Sequence, residues 1–252
     1  LALTALAALT VAGGLPGNAS AKDYPRKPLR LIVPFPPGGG NDILARSVGQ
    51  RLAEAIGQQV IVDNRGGAGG LIGAELAAKA VPDGYTIFLA SIGNLAFMPA
   101  LHAKLPYDPV RDFAPLTLLA TSAFIMVVNP SLPAKSVKEL IALARAKPGQ
   151  INYGSSGQGS SLHLTGEIFK LATSTDLVHV PYKGGGPALT DLIAGQVQIM
   201  FGTMPPTLPH VKTGKLRALG VSGTKRSVAA PEVPTIAEAG VPGFEVLNWY
   251  GI

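Results

Sequence analysis

Residues 29–42 read Leu29-Arg30-Leu31-Ile32-Val33-Pro34-Phe35-Pro36-Pro37-Gly38-Gly39-Gly40-Asn41-Asp42. A short apolar run closed by proline and glycine has the length and flanks of a buried strand. Downstream, Leu44, Val48, Leu52 and Ile56 recur at i, i+4 spacing, with Arg46, Arg51 and Glu54 on other faces. That is an amphipathic helix. The unit is therefore strand, glycine-rich loop, helix, and the chain repeats it.

Val60–Asp63 and Tyr85–Ala90 read as further strands, separated by a helical pattern over Leu71–Val81. In the second half, Ser136-Val137-Lys138-Glu139 is a capping box, in which serine and glutamate each take a free N–H. Ile151–Tyr153, Leu177–Val180, Val197–Phe201 and Leu216–Val221 are strand candidates, with helices at Leu162–Ala172 and Pro187–Ala194 between them. Alternation of this kind predicts an α/β fold with mostly parallel sheets flanked by helices. Two such sets predict two lobes, 22–120 and 121–221, the first completed by 222–252. The long apolar run Leu116–Asn129 is expected to cross from the first sheet into the second, with Leu216–Val221 as the return.

Composition narrows the class. Of 252 residues, 47% are hydrophobic and 14% charged, enough for a sizeable core and against disorder. With no cysteine, disulfides, thiolate metal sites and a cysteine nucleophile are excluded. The formal net charge is +6, but Lys and Arg are scattered singly and aromatics are few, which argues for a solvated surface and no nucleic-acid partner. Residues 1–12 are uncharged and apolar, too short to span a membrane, and Ala19-Ser20-Ala21 forms a small-x-small cleavage pattern. Residues 1–21 are thus expected to be part of a signal peptide, against the alternative of a buried Ala/Leu helix.

In open parallel sheets, ligands bind beyond the carboxyl ends of strands, where loops feed helix N-termini. The loop through Phe35, Gly38, Gly39, Gly40, Asn41 and Asp42 lies there. Its glycines admit close backbone approach and the helix N–H groups favour an anion. Phe35 would cover an apolar portion, while Asn41 or Asp42 would equally serve as the helix N-cap. The second-half counterpart offers Ser155, Ser156, Gly157, Gly159 and Ser160, with Ser160 or Ser161 needed as a cap. His163, just inside the following helix, either contacts ligand or packs. Tyr182, Lys183 and Gly184 form a third loop, with Lys183 a countercharge or simply a solvated lysine. Ser91 and Asn94 reach the same edge.

Catalytic motifs are weak. Gly67-Ala68-Gly69-Gly70-Leu71-Ile72-Gly73 misplaces the last glycine of a dinucleotide loop, and neither a P-loop nor a G-x-S-x-G elbow occurs. The four histidines, His102, His163, His179 and His210, form no HxxxH or HxH pair. The loops therefore point to binding without turnover. An α/β enzyme acting on a phosphorylated or acyl substrate is the alternative, and it lacks an identifiable nucleophile–base pair.

The chain resembles the substrate-binding receptors of tripartite tricarboxylate transporters, the Bug-type family. The resemblance is carried by Leu29–Phe35 with Gly39–Asp42, Asn64–Gly70, Pro82–Tyr85, Tyr153–Ser160 with His163-Leu164 and Gly166-Glu167, Val180–Gly184, Gly214–Leu219 and Pro234–Gly240. It spans residues 24–252 in the family's order. It implies a two-lobed periplasmic binding protein, a Venus flytrap of type II-like form, holding a small organic carboxylate by backbone N–H groups, hydroxyls and waters. It also implies a monomer in the periplasm, delivery to large and small transmembrane subunits, and no cofactor or metal. A sensory receptor for the same ligand is the other reading. Where amino-acid-binding relatives carry an acidic residue, this chain has Gly202-Thr203-Met204, which implies a ligand without an amino group and puts Thr203 at the site. The family also continues beyond the position of Ile252, so the resemblance implies a piece lacking the last part of the first lobe.

Overall fold

The structure, a computed structural model, describes residues 24–252. The expected leader and its cleavage pattern lie outside the described residues. Strand β1 (Leu29–Val33) pairs in parallel with β2 (Val60–Asn64) and β3 (Thr86–Phe88), giving a three-stranded sheet in the order β2-β1-β3. As a central strand, β1 is covered on both faces, which is why it reads as a continuous apolar run. Leu31 and Val33 enter one cluster with Ala45, Leu89 and Tyr250, whereas Ile32 enters the other with Ala74, Phe88, Ala90 and Tyr107. That is the two-residue alternation of a strand.

Helix α1 (Gly40–Ile56) follows the glycine loop and ends at Gly57, whose φ of 69° supplies the left-handed exit. Helix α2 (Leu71–Ala78) precedes β3, and a short strand β4 (Ala90–Ser91) leads into a π-helical turn at Gly93–Phe97 and α3 (Met98–Leu101).

The two lobes are joined by β5 (Leu118–Val128). At about 3.3 Å per residue, eleven residues are long enough to pack against the cores of both lobes. Residues from Leu118 to Ala123 pair antiparallel with β10 (Leu247–Gly251), which also borders β4. Phe124–Val128, all buried, pair antiparallel with β8 (Ile199–Thr203) and, over Ile125–Val128, with β9 (Arg217–Val221). The run 116–129 thus passes from the first lobe's core, where Leu119 and Ala120 pack, into the second's, but within the seven-stranded sheet and without pairing to the β2-β1-β3 sheet from which it was expected to cross.

The return differs from expectation. Strand β9 stays in the second lobe, held to β5 and by the Ile236 N–H to the Val221 carbonyl. Residues 222–246 stay there too: Ala230, Val233, Ile236, Val241, Phe244 and Val246 belong to the same core as Phe124 and Phe201. Only β10 returns, placing Tyr250 in the Leu31/Val33 cluster. The segment 222–252 expected to complete the first lobe is thus divided at about residue 246.

The second lobe also contains α4 (Val137–Ala146), β6 (Ile151–Ser155), α5 (Ser161–Thr173), β7 (Leu177–Pro181), α6 (Gly185–Ile193) and α7 (Met204–Lys212). Strand β6 pairs in parallel with β7 and β8, so the sheet is parallel except where β5 and β10 enter it. Ser136 caps α4 by accepting the Glu139 N–H at 3.2 Å, as the capping box predicts. Glu139 reaches back one residue further than the ideal box, to the Lys135 N–H at 2.8 Å.

Candidate functional site

The sheet ends of the two lobes face each other through glycines. A Cβ on Gly39 would stand 3.8 Å from the Gly186 nitrogen, and one on Gly40 would stand 2.6 Å from the Thr203 hydroxyl oxygen. Gly66 of the first lobe and Gly184 of the second both abut the ring of Pro36, with Cβ positions 2.6 and 2.7 Å from its Cδ. Gly69 lies against the Gln158 carbonyl, and a Cβ on Gly93 would be 3.3 Å from the Ser161 nitrogen. The lobes are therefore closed on one another. At Gly40, Gly69 and Gly184 a Cβ would come within 3.0 Å of a residue of the facing lobe, so these contacts across the cleft need glycine, whereas Gly39 is in ordinary contact.

On the first lobe, α1 has Gly39 as its N-cap with no side-chain cap, and its first helical bond runs from the Ile43 N–H to the Gly39 carbonyl. The N–H groups of Gly40, Asn41 and Asp42 precede that bond, at the end of the helix that favours negative charge. Asp42 is neither the expected N-cap nor an open carboxylate. It is 4% exposed and accepts from the Gly38 N–H at 3.0 Å, Asn64 Nδ2 at 3.1 Å and Arg46. Burial alone would raise its pKa, but hydrogen bonds from Arg46, Gly38 and Asn64 outweigh burial and hold it below the usual range. Asp42 thus fixes the curve of the glycine loop. Asn64 ties the same loop through the Phe35 carbonyl at 2.9 Å.

Two amide groups stand apart. Asn94 is fully buried; Oδ1 accepts from the Ser91 hydroxyl at 3.0 Å, and its backbone carbonyl accepts from the Tyr107 hydroxyl at 2.5 Å. Its Nδ2, packed against Gly70 next to the Phe35 ring, has no partner in the protein. Asn41 Nδ2 is likewise buried without one. A buried donor left unmade costs about 1–3 kcal/mol, so these two, one on the residue after Gly40 and one against Gly70, are informative; Thr207 Oγ1 and Asn248 Oδ1 are the other buried side-chain atoms without a partner among the described residues.

On the second lobe, Ser160 is the cap of α5: its Oγ accepts the His163 N–H at 3.3 Å. Ser155 Oγ accepts the Gly157 N–H at 3.1 Å and lies 2.6 Å from His179 Nε2. Ser156 and Thr203 are buried, the latter against Gly40. His163 is a packed histidine, 7% exposed, with Nδ1 accepting the Gly159 N–H at 3.2 Å. Tyr182 donates its hydroxyl to Asp191 at 2.8 Å, and Lys183 is exposed. The expected loops are therefore brought to one cleft, with Asp42, Ser155, Ser160, His163 and Tyr182 engaged by the protein itself.

Sequence reasoning missed several members of this arrangement. Pro36 serves as the surface that Gly66 and Gly184 share, and His179 stands behind Ser155. The one legible signal was the polar His179 at an alternate position from buried Leu177 on an apolar strand. Among the described residues, no group of three metal-ligating side chains occurs, and no helix is long and apolar enough to cross a membrane.

Comparison with known proteins agrees with this architecture. Residues 44–252 match the family described as tripartite tricarboxylate transporter family receptor. The chain is similar to the solved structure of R. palustris Rpa4515 with adipate: 40% identity, TM-score 0.88, covering 91% of this chain and 77% of that one. It is similar to the periplasmic binding protein BugD at 35% identity and TM-score 0.87, covering 90% and 76%. It is also similar to MatC from Rhodopseudomonas palustris with bound malate, at 32% identity and TM-score 0.86, covering 90% and 78%.

Proposed function

The chain belongs to the tripartite tricarboxylate transporter family of receptors, and on that premise we propose that it captures a small dicarboxylate between its two lobes for delivery to large and small transmembrane subunits. The observation that carries this reading is the pair of buried, unpartnered amide donors, Asn41 Nδ2 and Asn94 Nδ2, at a closed glycine-lined cleft. An anion with oxygens at both ends satisfies such donors, and the N-terminus of α1 adds a favourable dipole. The one cleft carboxylate on the first-lobe loop, Asp42, is neutralised by Arg46 and occupied by its own loop, so it offers nothing to an ammonium group. Phe35 supplies an apolar wall, and the hydroxyls of Ser156 and Thr203 are the second lobe's contribution.

Similarity to proteins solved with adipate and with malate supports a dicarboxylate as the ligand class. The reading is of a monomeric periplasmic receptor that binds without turnover. A thermal-shift panel of adipate, malate, succinate, an amino acid and a nucleotide tests it. At 100 times its dissociation constant, the cognate acid should stabilise the protein by about 2.7 kcal/mol. A shift with the nucleotide and none with any organic acid would overturn the reading.

A further inference from the structure

Against the serine loop, three elements of the second lobe bring titratable side chains together. Tyr153 on β6 is the register partner of His179 on β7, and their rings stack with centroids 5.0 Å apart. The ring of His163, in the first turn of α5, lies 4.0 Å from that of His179. Glu167, one turn further, accepts from the Tyr153 hydroxyl at 2.5 Å and from Lys170 at 3.0 Å, and stands 4.0 Å from His163 Nε2.

The two rings meet the loop at different atoms. His163 Nδ1 accepts the Gly159 N–H, so this nitrogen carries no proton. His179 Nε2 holds the Ser155 hydroxyl, and that hydroxyl in turn accepts the Gly157 N–H. Two of the loop's backbone donors are thereby turned onto side chains and away from any ligand. We propose that His163 and His179, their rings in tilted contact, form a neutral positioning pair that presets the serine loop, selecting which of its N–H groups face the cleft.

A proton on His163 Nδ1 would set donor against donor at Gly159, so the pair works only while uncharged. Its surroundings keep it so. Burial lowers the pKa of both rings, and Lys170 opposes a charge on either, while Glu167 alone favours one. The remaining groups facing the pair, Tyr153 and Ser155, are neutral. The consequence for ligand affinity rests on the carboxylate reading of the cleft, whereas the consequence for the loop does not.

The test uses the whole chain and two readouts. Amide exchange of Gly157 and Gly159 follows the loop, and calorimetry with adipate follows the cleft. His163→Ala should accelerate Gly159 exchange by about tenfold, and His179→Ala should do the same for Gly157. His163→Asn and His179→Gln keep an amide where the working ring nitrogen stood, and should restore both protection and adipate affinity. Unchanged exchange in folded alanine variants would overturn the pair. Should those variants fail to fold, ring nitrogen shifts of the wild type decide: a protonated His163 Nδ1 at pH 7.5 overturns the proposal, and an unprotonated one supports it. Altered exchange in a protein that binds no carboxylate supports the pair and counts against the reading of the cleft.

Discussion

Gly40, the first residue of α1, sits against Thr203, the last residue of β8, so closely that a Cβ on Gly40 would stand 2.8 Å from the Thr203 Cβ. One residue comes from each lobe, and the contact exists only when the lobes are closed. The backbone of Gly40 does not lie in the left-handed region, so an alanine there is acceptable to the helix itself. Its cost falls on closure.

Gly40→Ala should therefore fold with a melting temperature close to wild type while binding weakly. Overpacking of a tight contact costs about 1–3 kcal/mol, which converts to a loss of affinity of about 5- to 150-fold. Calorimetry measures the loss, and small-angle scattering should show that ligand no longer contracts the molecule. Wild-type affinity in this variant would mean that closure at Gly40 is not part of binding.

Asn94→Asp tests the donor that the protein leaves unpartnered. The substitution keeps an oxygen for the Ser91 hydroxyl and nearly the same shape, but replaces Nδ2 with a second acceptor. A hydrogen bond to a charged group contributes about 1.5–3 kcal/mol, and a carboxylate facing a carboxylate adds repulsion. Affinity for a dicarboxylate should fall by about 100-fold or more. Retained binding of adipate or malate would remove Asn94 from the site.

What was legible in the sequence was local. The apolar run before Pro34, the i, i+4 repeat from Leu44 to Ile56 and the serine at position 160 each report on a few neighbouring residues. Long-range pairing was not legible. Leu216–Val221 looks like any short strand, and its ladder to Ile125–Val128, with the bonds between Val221 and residues 234–236, keeps it in the second lobe. Ser222 is fixed by the Phe124 N–H, 98 residues away in the chain. Helix α7 was missed because Pro205, Pro206 and Pro209 argue against a helix. Two of them occupy the first turn, where no N–H is required, and the terminal His210 and Lys212 suit the dipole. Asp42 shows the same limit at the site. Its neighbours suggested a cap or a ligand, but its oxygens answer to Asn64 and Gly38.

Asp42→Asn should weaken the fold and the loop together. It removes charge-assisted bonds from Arg46 and the Gly38 N–H, each within 3.1 Å of the carboxylate. A loss of about 1–3 kcal/mol is expected at neutral pH. Because the folded pKa lies below the ordinary 3.8, this contribution is present above that value and is lost as pH falls through the folded one. Chemical denaturation should thus show a gap between wild type and variant at pH 7 that narrows once the pH is taken below 3.8. A gap independent of pH would mean that shape, and not charge, is what Asp42 supplies.

His179 has its own signature just above the Asp42 window, between pH 6.5 and about 4. Burial, followed by the neighbouring His163, lowers its pKa from 6.5 to about 4. The unfolded chain therefore takes up a proton below pH 6.5 that the folded protein refuses until about pH 4. Stability must fall as the pH drops through that window, and more steeply than paired carboxylates alone would make it. His179→Gln removes one such group while keeping an amide beside the Ser155 hydroxyl. Its unfolding free energy should decline less between pH 7 and pH 5 than that of wild type, though His163, also shifted down, keeps part of the slope. The variant, equal to or below wild type at pH 7.5, should approach or overtake it at pH 5. Parallel curves across this range would show that His179 takes up its proton as readily in the folded protein as in the unfolded chain, and that its surroundings do not hold the ring uncharged.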